Sequence, residues 1–427
     1  MKILFIIMIF LQGVLLSSKL DTLKVDKVDV PFIYEEDRNL PLISMQVIFK
    51  NSGSIFDENL SGLSKFSSSI LKEGSKKDGS VKFAKKLEDR AIHLDIGVGK
   101  ETLVIEISSL KEQFSEAVKL LTQLLKDPNI TEDSFKKIKL LTLATLDRKE
   151  SDFDYVANIN LYKSIYKDTP LQNPALGTKK SIEKIRLTDI KGFIDDHLIL
   201  NNSIVVSGGD LSLDEAKGYA KEILSILKKG KSEKLGYFNI SKDAKDVEVK
   251  KDTKQAYIYF AAPYNLKYSD KDRYKSRVAM FILGAGGFGS RMMEEIRVKR
   301  GLAYSAYSRV NIAKSHSEFF GYLQTKTDKK DESIKLVKEI VAKFVKDGVS
   351  KEELEQAKRF LLGSEPLRNE TLSQRLSKAF HEYYEGFELG HSKKELKKIE
   401  ELKLDDLNSF IKSHKEIENL TFSVVTK

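Results

Sequence analysis

GAGGFGSRMMEEIRVKRGLAY, residues 284–304, carries a complete turn, helix, turn and strand signal. Its glycines at 284, 286, 287 and 289 let the backbone take positive φ or let another segment approach closely. Ser290 suits an N-cap, and Glu294 and Glu295 follow in the first turns. Arg297, Lys299 and Arg300 load the last turn and Gly301 ends it, so a short helix is predicted over 291–300. Residues 302–310 then alternate as a strand, with Leu302, Tyr304 and Ala306 on one face and Ala303, Ser305 and Tyr307 on the other. Arg297 and Tyr304, seven residues apart, flank the turn between the two elements, which can aim both at one point.

Working outward, the chain repeats itself. Strands are predicted over 30–34, 43–49 and 203–207, and a hairpin over 93–107 broken at Gly99 and Lys100. Helical periodicity marks 60–71, 81–91, 114–125, 132–146, 155–166 and 187–197. Ile182, Ile185, Leu187, Asp189, Ile190, Phe193 and Ile194 match Ile399, Leu402, Leu404, Asp406, Leu407, Phe410 and Ile411, each 217 residues on. Ile130, Thr131, Glu132, Phe135 and Lys139 match Val349, Ser350, Glu352, Leu354 and Lys358 at an offset near 219. Ordered matches at so steady an offset predict two copies of one α+β domain. Each copy is a mostly antiparallel sheet packed with helices on one face, and the two close as a clamshell around a cavity. The boundaries are a leader over 1–18, a first domain over 19–227, a Lys-rich linker without apolar period over 228–251, and a second domain over 252–427.

Composition narrows the function classes. At 427 residues, with 41% hydrophobic and 32% charged side chains, the chain is a folded protein of more than one core. The net charge of +10 is spread over helix faces and carries no nucleic-acid signature, so no nucleic-acid partner is expected. With no cysteine there are no disulfides, thiolate nucleophiles or thiolate metal sites. Met1 and Lys2 precede an apolar run over 3–11 that thins through Val14–Leu16 before Ser17 and Ser18. That order predicts export through a cleaved signal peptide into the periplasm. An uncleaved N-terminal anchor is the alternative, and no later segment reaches spanning length.

The six histidines (His93, His197, His316, His381, His391 and His414) include no pair four apart, so no helix presents a paired-histidine zinc site. No Gly-x-Ser-x-Gly elbow or Walker loop is present either.

Two segments nonetheless resemble one family, the pitrilysin/insulinase zinc peptidases, in the branch that contains the mitochondrial processing peptidase. SRMMEEIRVKRGLAYS, residues 290–305, is similar to the family's C-terminal motif and places Arg297 and Tyr304 on its Arg/Tyr pair. GLSKFSSSILKEGS, residues 62–75, is similar to the zinc helix, keeping Gly62, Leu63, Phe66, Gly74 and Ser75 around the His-x-x-Glu-His position. There Lys65 stands for the first histidine, Ser68 for the glutamate and Ser69 for the second histidine. The third ligand position falls at Thr145 in LLTLATLDRKE, with Asp147 and Glu150 off register.

The resemblance implies that this chain binds no metal and carries no cofactor, and that it is inactive alone. It implies that Arg297 and Tyr304 are the catalytic pair, acting on a substrate carbonyl beside zinc held by a homologous partner subunit. Substrates would be peptides or unfolded protein. Gly286 and Gly287 would admit an extended peptide against the nearby sheet edge, although a plain helix-start turn explains them equally well. The other class of function is a structural or binding scaffold of the same fold. The leader is tested by N-terminal sequencing of the protein from an exported fraction: a chain starting near Ser18 or Lys19 is expected, and full-length protein in the cytosol would refute export.

Overall fold

The structure, a computed structural model, describes residues 18–427, so the predicted leader lies outside the described residues except for Ser18. In the first half, β1 (Lys19–Val25), β2 (Val28–Glu36), β3 (Leu42–Lys50), β4 (His93–Val98), β5 (Thr102–Leu110) and β6 (Ser203–Gly209) form one sheet in the order β1-β2-β6-β3-β5-β4. In the second, β7 (Val247–Lys250), β8 (Gln255–Pro263), β9 (Ala303–Ile312), β10 (Ser317–Lys326) and β11 (Thr421–Thr426) give the order β7-β11-β8-β10-β9. Among the described residues only β2/β6 and β7/β11 pair in parallel. The mostly antiparallel two-domain architecture is thus as the repeat implied.

The repeat holds element by element. Helices Lys111–Lys126, Glu132–Lys149, Phe153–Ile165 and Leu187–His197 are answered by Lys330–Asp347, Lys351–Gly363, Leu372–Tyr384 and Leu404–Ser413. Phe153–Ile165 and Leu372–Tyr384 begin and end 219 residues apart.

One feature departs from the expectation of helices on a single face. Every residue of β6 and of β11 is buried, the pattern of strands covered on both sides. Each half covers one face with its own helices, as Phe114, Val118, Leu121 and Leu124 do from Lys111–Lys126. The other face is covered by the opposite half. Leu376, Ala379 and Phe380 of helix Leu372–Tyr384 pack on Ile33, Ile48, Ile204 and Val206 of the first sheet. Reciprocally, Leu161 and Ile165 of helix Phe153–Ile165, with Tyr166, pack on Ala261 and Phe320 of the second. Alternation in β2, β3 and β6 therefore supplies two apolar faces, and neither half alone can bury both.

The stretch 228–251 does more than link. It has no helix or strand as far as 246 and then ends in β7, too short at four residues to show a period. Along the way Leu235, Phe238 and Ile240 pack on the cluster of Leu161, Ile165 and Tyr166. The Phe238 N–H donates to the Ser315 carbonyl at 2.7 Å and the Ser241 N–H to the Ile165 carbonyl at 2.7 Å.

The exchanged helix is also fixed by charge. Arg375 Nε meets Glu35 Oε1 at 2.5 Å and its Nη2 meets Asp37 Oδ2 at 2.5 Å. Glu35 is only 2% exposed, so Arg375→Ala would leave a buried carboxylate without its counter-charge, held by the Ser18 hydroxyl at 2.6 Å. Urea unfolding should show a loss of about 3–5 kcal/mol, against at most about 1 kcal/mol for an exposed pair.

Candidate functional site

The glycine turn is pressed onto β9. A Cβ on Gly284 would lie 2.2 Å from Ser308 Oγ and 2.4 Å from the Ser308 nitrogen, so only glycine fits. Gly287 has φ 63° and faces open space, while Gly286 takes an ordinary negative φ of −78° beside Phe281. The predicted helix over 291–300 is present but wider than an α-helix: Met293–Val298 is π-helical, as is Phe281–Ala285. Such wide turns are rare and concentrate at functional sites. Gly301, at φ 61°, ends the second one.

The structure brings Arg297 and Tyr304 together. The Arg297 guanidinium carbon lies 4.4 Å from the Tyr304 ring centroid and 4.7 Å from that of Phe288, within cation–π range of both. Phe288 is 71% exposed and Tyr304 82% exposed. Among the described residues the Arg297 side chain makes no ion pair and no hydrogen bond. Phe288, inside the glycine turn, is the member of this stack that sequence reasoning missed.

The strand faces differ from strict alternation. Ala303 pairs with Thr325 and Ala306 with Leu323, so Tyr304 and Ser305 together oppose Gln324. This bulge turns Ala303 and Ala306 inward and leaves both Tyr304 and Ser305 exposed. β9 is the outer strand of its sheet, so the pair stands at a sheet edge. Neither residue is among those lining the pocket between helix Phe153–Ile165 and strands β9 and β10.

Helix Leu63–Leu71 carries Lys65, Ser68 and Ser69. Its start is held by Asp57, whose carboxylate accepts from the Gly62 and Ser64 N–H groups at 2.8 Å each. Burial pushes the Asp57 pKa up to about 6 in spite of these bonds. Ser68 Oγ and Ser69 Oγ both donate to the Lys65 carbonyl, at 2.8 and 2.9 Å. Thr145 Oγ1 donates to the Leu141 carbonyl at 2.8 Å. The neighbouring carboxylates Asp147 and Glu150 are both taken by Lys179, at 2.5 and 2.7 Å. A lysine with hydroxyls spent on their own helices does not fit Zn²⁺, which takes imidazole, thiolate and carboxylate donors.

A second polar group was not singled out from the sequence. The turn carrying Lys100 and Glu101, between β4 and β5, meets the turn carrying Ser315 and His316, between β9 and β10. Lys100 Nζ lies 3.1 Å from His316 Nε2 and 3.2 Å from the Tyr162 hydroxyl. Asn311 Nδ2 also reaches His316 Nε2, at 3.0 Å. Two donors at Nε2 put the imidazole proton on Nδ1, which faces Ser315 Oγ at 2.8 Å. Ser315 in turn donates from its N–H and Oγ to Glu101, at 2.8 and 2.7 Å. Glu318 accepts from the hydroxyls of Tyr162 and Tyr166, the latter at 2.7 Å. Burial opposes its ionisation, but Lys100, His316 and the tyrosines hold its carboxyl below the usual range. The available signal was the polar pair His316 and Glu318 at alternate positions just ahead of the apolar run over 319–323.

With this geometry in hand, comparison with known proteins identifies the chain. Residues 33–179 match the sequence model described as Insulinase (Peptidase family M16), and residues 184–361 match that of the Peptidase M16 inactive domain. The chain therefore belongs to the insulinase family, M16. It is 44% identical to a Helicobacter pylori protein named "Non-peptidase homolog YmxG", over 96% of this chain and 95% of that one. It is 24% identical to an uncharacterized zinc protease of Rickettsia felis, over 75% of this chain and 77% of the relative. A Pseudomonas fluorescens structure titled as a peptidase M16 inactive domain has the same fold, with TM-score 0.88, 24% identity, and coverage of 96% of this chain and 98% of that one.

His316 gives this region a pH signature. Burial first, and then Lys100, lower its pKa from 6.5 to about 4, with Glu318 opposing. The unfolded chain protonates this histidine below about pH 6.5 and the folded chain only near pH 4, so stability falls as pH drops through that window. His316→Gln should remove on the order of 3 kcal/mol of that loss, seen as a shallower decline of unfolding free energy between pH 7 and 4. Equal slopes would show that the imidazole is not held neutral.

Proposed function

We propose that this chain is the metal-free subunit of an exported two-chain peptidase, lending Arg297 and Tyr304 to a site whose zinc lies on a homologous partner. The supporting observation is the exposed stack of Phe288, Arg297 and Tyr304 at the edge of β9, with an uncommitted guanidinium. Stability does not call for such an arrangement on a monomer's surface. A substrate peptide lying along the edge would bring a backbone carbonyl to Arg297. The Tyr304 hydroxyl could donate to the oxyanion that forms when water attacks that carbonyl. Gly286 and Gly287 leave the backbone close enough for strand addition. The unsuitable donors at Lys65, Ser68, Ser69 and Thr145 support the reading in which the metal is held by the other chain. Export rests on the leader, and no helix among the described residues is long and apolar enough to cross a membrane.

One observation favours a second reading, a catalytically silent scaffold of the same fold: the relative at 44% identity is named a non-peptidase homologue. The two readings part in a mixing experiment. This chain is combined with a zinc-bearing homologue from the same source and an unstructured peptide is assayed. Under the subunit reading Tyr304→Phe lowers kcat about 100- to 1,000-fold with little change in KM, and Arg297→Ala also raises KM. Wild-type turnover with Tyr304→Phe, or no turnover in any mixture, would leave the scaffold reading.

A further inference from the structure

Between the two halves lies a cavity of about 620 Å³, within the range of small-ligand sites. It is separate from the Arg297/Tyr304 edge, and neither residue lines it. Its walls come from helix Phe153–Ile165, the segment 170–176 and strands β9 and β10, so it exists only where the halves meet.

The wall chemistry is asymmetric. Ile55, Ile159, Leu171, Leu176 and Phe320 form an apolar side. On the other side stand two basic side chains that make no ion pair among the described residues, although Lys100 is near enough to Glu318 to act on its carboxylate, and burial lowers the Lys100 pKa. Lys100 has none within ion-pair distance among the described residues, its contacts being the Tyr162 hydroxyl and His316. Arg309 makes no ion pair and no hydrogen bond among the described residues, lying instead 5.7 Å from the Phe320 ring centroid. The one carboxylate in the wall, Glu318, is already engaged by Tyr162, Tyr166 and Asn311. The net charge offered to an occupant is therefore positive.

Amide groups complete the lining. Asn158 and Asn173 enter the wall with no side-chain hydrogen bond among the described residues, and the Gln172 amide nitrogen is likewise unspent. The Tyr155 hydroxyl is buried without a partner. An aliphatic acid would satisfy the cations but cover the half-buried Asn158 and Gln172, the exposed Asn173 and the buried Tyr155 hydroxyl with hydrocarbon, and a polar group so covered is costly. A peptide satisfies both sets, because its backbone supplies donors and acceptors along its length.

We propose that this cavity is a second binding site, taking a short peptide carboxyl end first. Its terminal carboxylate sits between Lys100 and Arg309, its backbone is read by Asn158, Gln172 and Asn173, and an apolar last side chain rests on Leu171, Leu176 and Phe320. The site does not depend on metal, on a partner or on the Arg297/Tyr304 reading.

Calorimetric titration of the full chain tests this with alanyl-alanyl-leucine, the same peptide as its C-terminal amide, and octanoate. The free acid should bind saturably. The amide should bind about 10- to 100-fold more weakly, the factor expected for losing one charge-assisted contact. Arg309→Gln, a change at an exposed side chain without partners, should weaken the acid about 10-fold and leave the amide unchanged. Lys100→Met should do the same, with a thermal melt establishing that it folds. Equal affinity for acid and amide, an unaltered affinity in Arg309→Gln, tighter binding of octanoate than of the peptide, or no heat from any of the three at millimolar concentration would each overturn the assignment.

Discussion

Covering a sheet on both faces with helices from two different halves is the constraint on which the rest of this molecule depends. β2, β3 and β6 present apolar side chains in both directions, and helix Leu372–Tyr384 of the second half lies against their outer side. The return contact, helix Phe153–Ile165 on the second sheet, makes the arrangement reciprocal. Arg375, bonded to Glu35 and Asp37, sets the register of this exchange, because a shifted helix would strand a buried carboxylate. The packed interface in turn brings the tip of one hairpin against the tip of the other, and so creates both the Lys100–His316 contact and the cavity beside it.

The same frame separates two kinds of chemistry. Helix Leu63–Leu71 keeps its anchoring by Asp57, but its hydroxyls close on their own backbone. The edge of β9 has the opposite character, with groups turned outward and uncommitted. A bulge that opposes Tyr304 and Ser305 to Gln324 makes that outward turn possible. Without it, a regular pleat would alternate Tyr304 with its neighbours and place it on the same face as the buried Ala306.

Much of this was legible in the sequence, and the reasons are physical. The period of helices such as Leu187–His197 and its counterpart Leu404–Ser413 is set by burial on one face, which writes itself into residue order. The Arg297/Tyr304 proximity was legible because Gly301, at positive φ, fixes where the helix stops and the strand starts. What could not be read depends on partners remote in sequence. The bulge arises from the pairing of β9 with β10, not from β9's own residues. The second cover of each sheet comes from the other half of the chain, 340 residues away in the case of Arg375 and Glu35. Lys100 and His316 look like ordinary turn residues until the two turns are seen to touch. β7 takes its strand form from pairing with β11, at the far end of the chain.

The exchanged helix also sets a timetable. β2 and β3 leave the ribosome early, yet β6, which lies between them, is more than 150 residues later in the chain, and the helix that covers their outer face ends only at Tyr384. Nearly the whole polypeptide must exist before the first sheet can bury its second face. Such long-range closure makes folding slow and leaves apolar strands open in the meantime. The first half has its own core on one face of its sheet, and the other face stays open until the exchanged helix has been made.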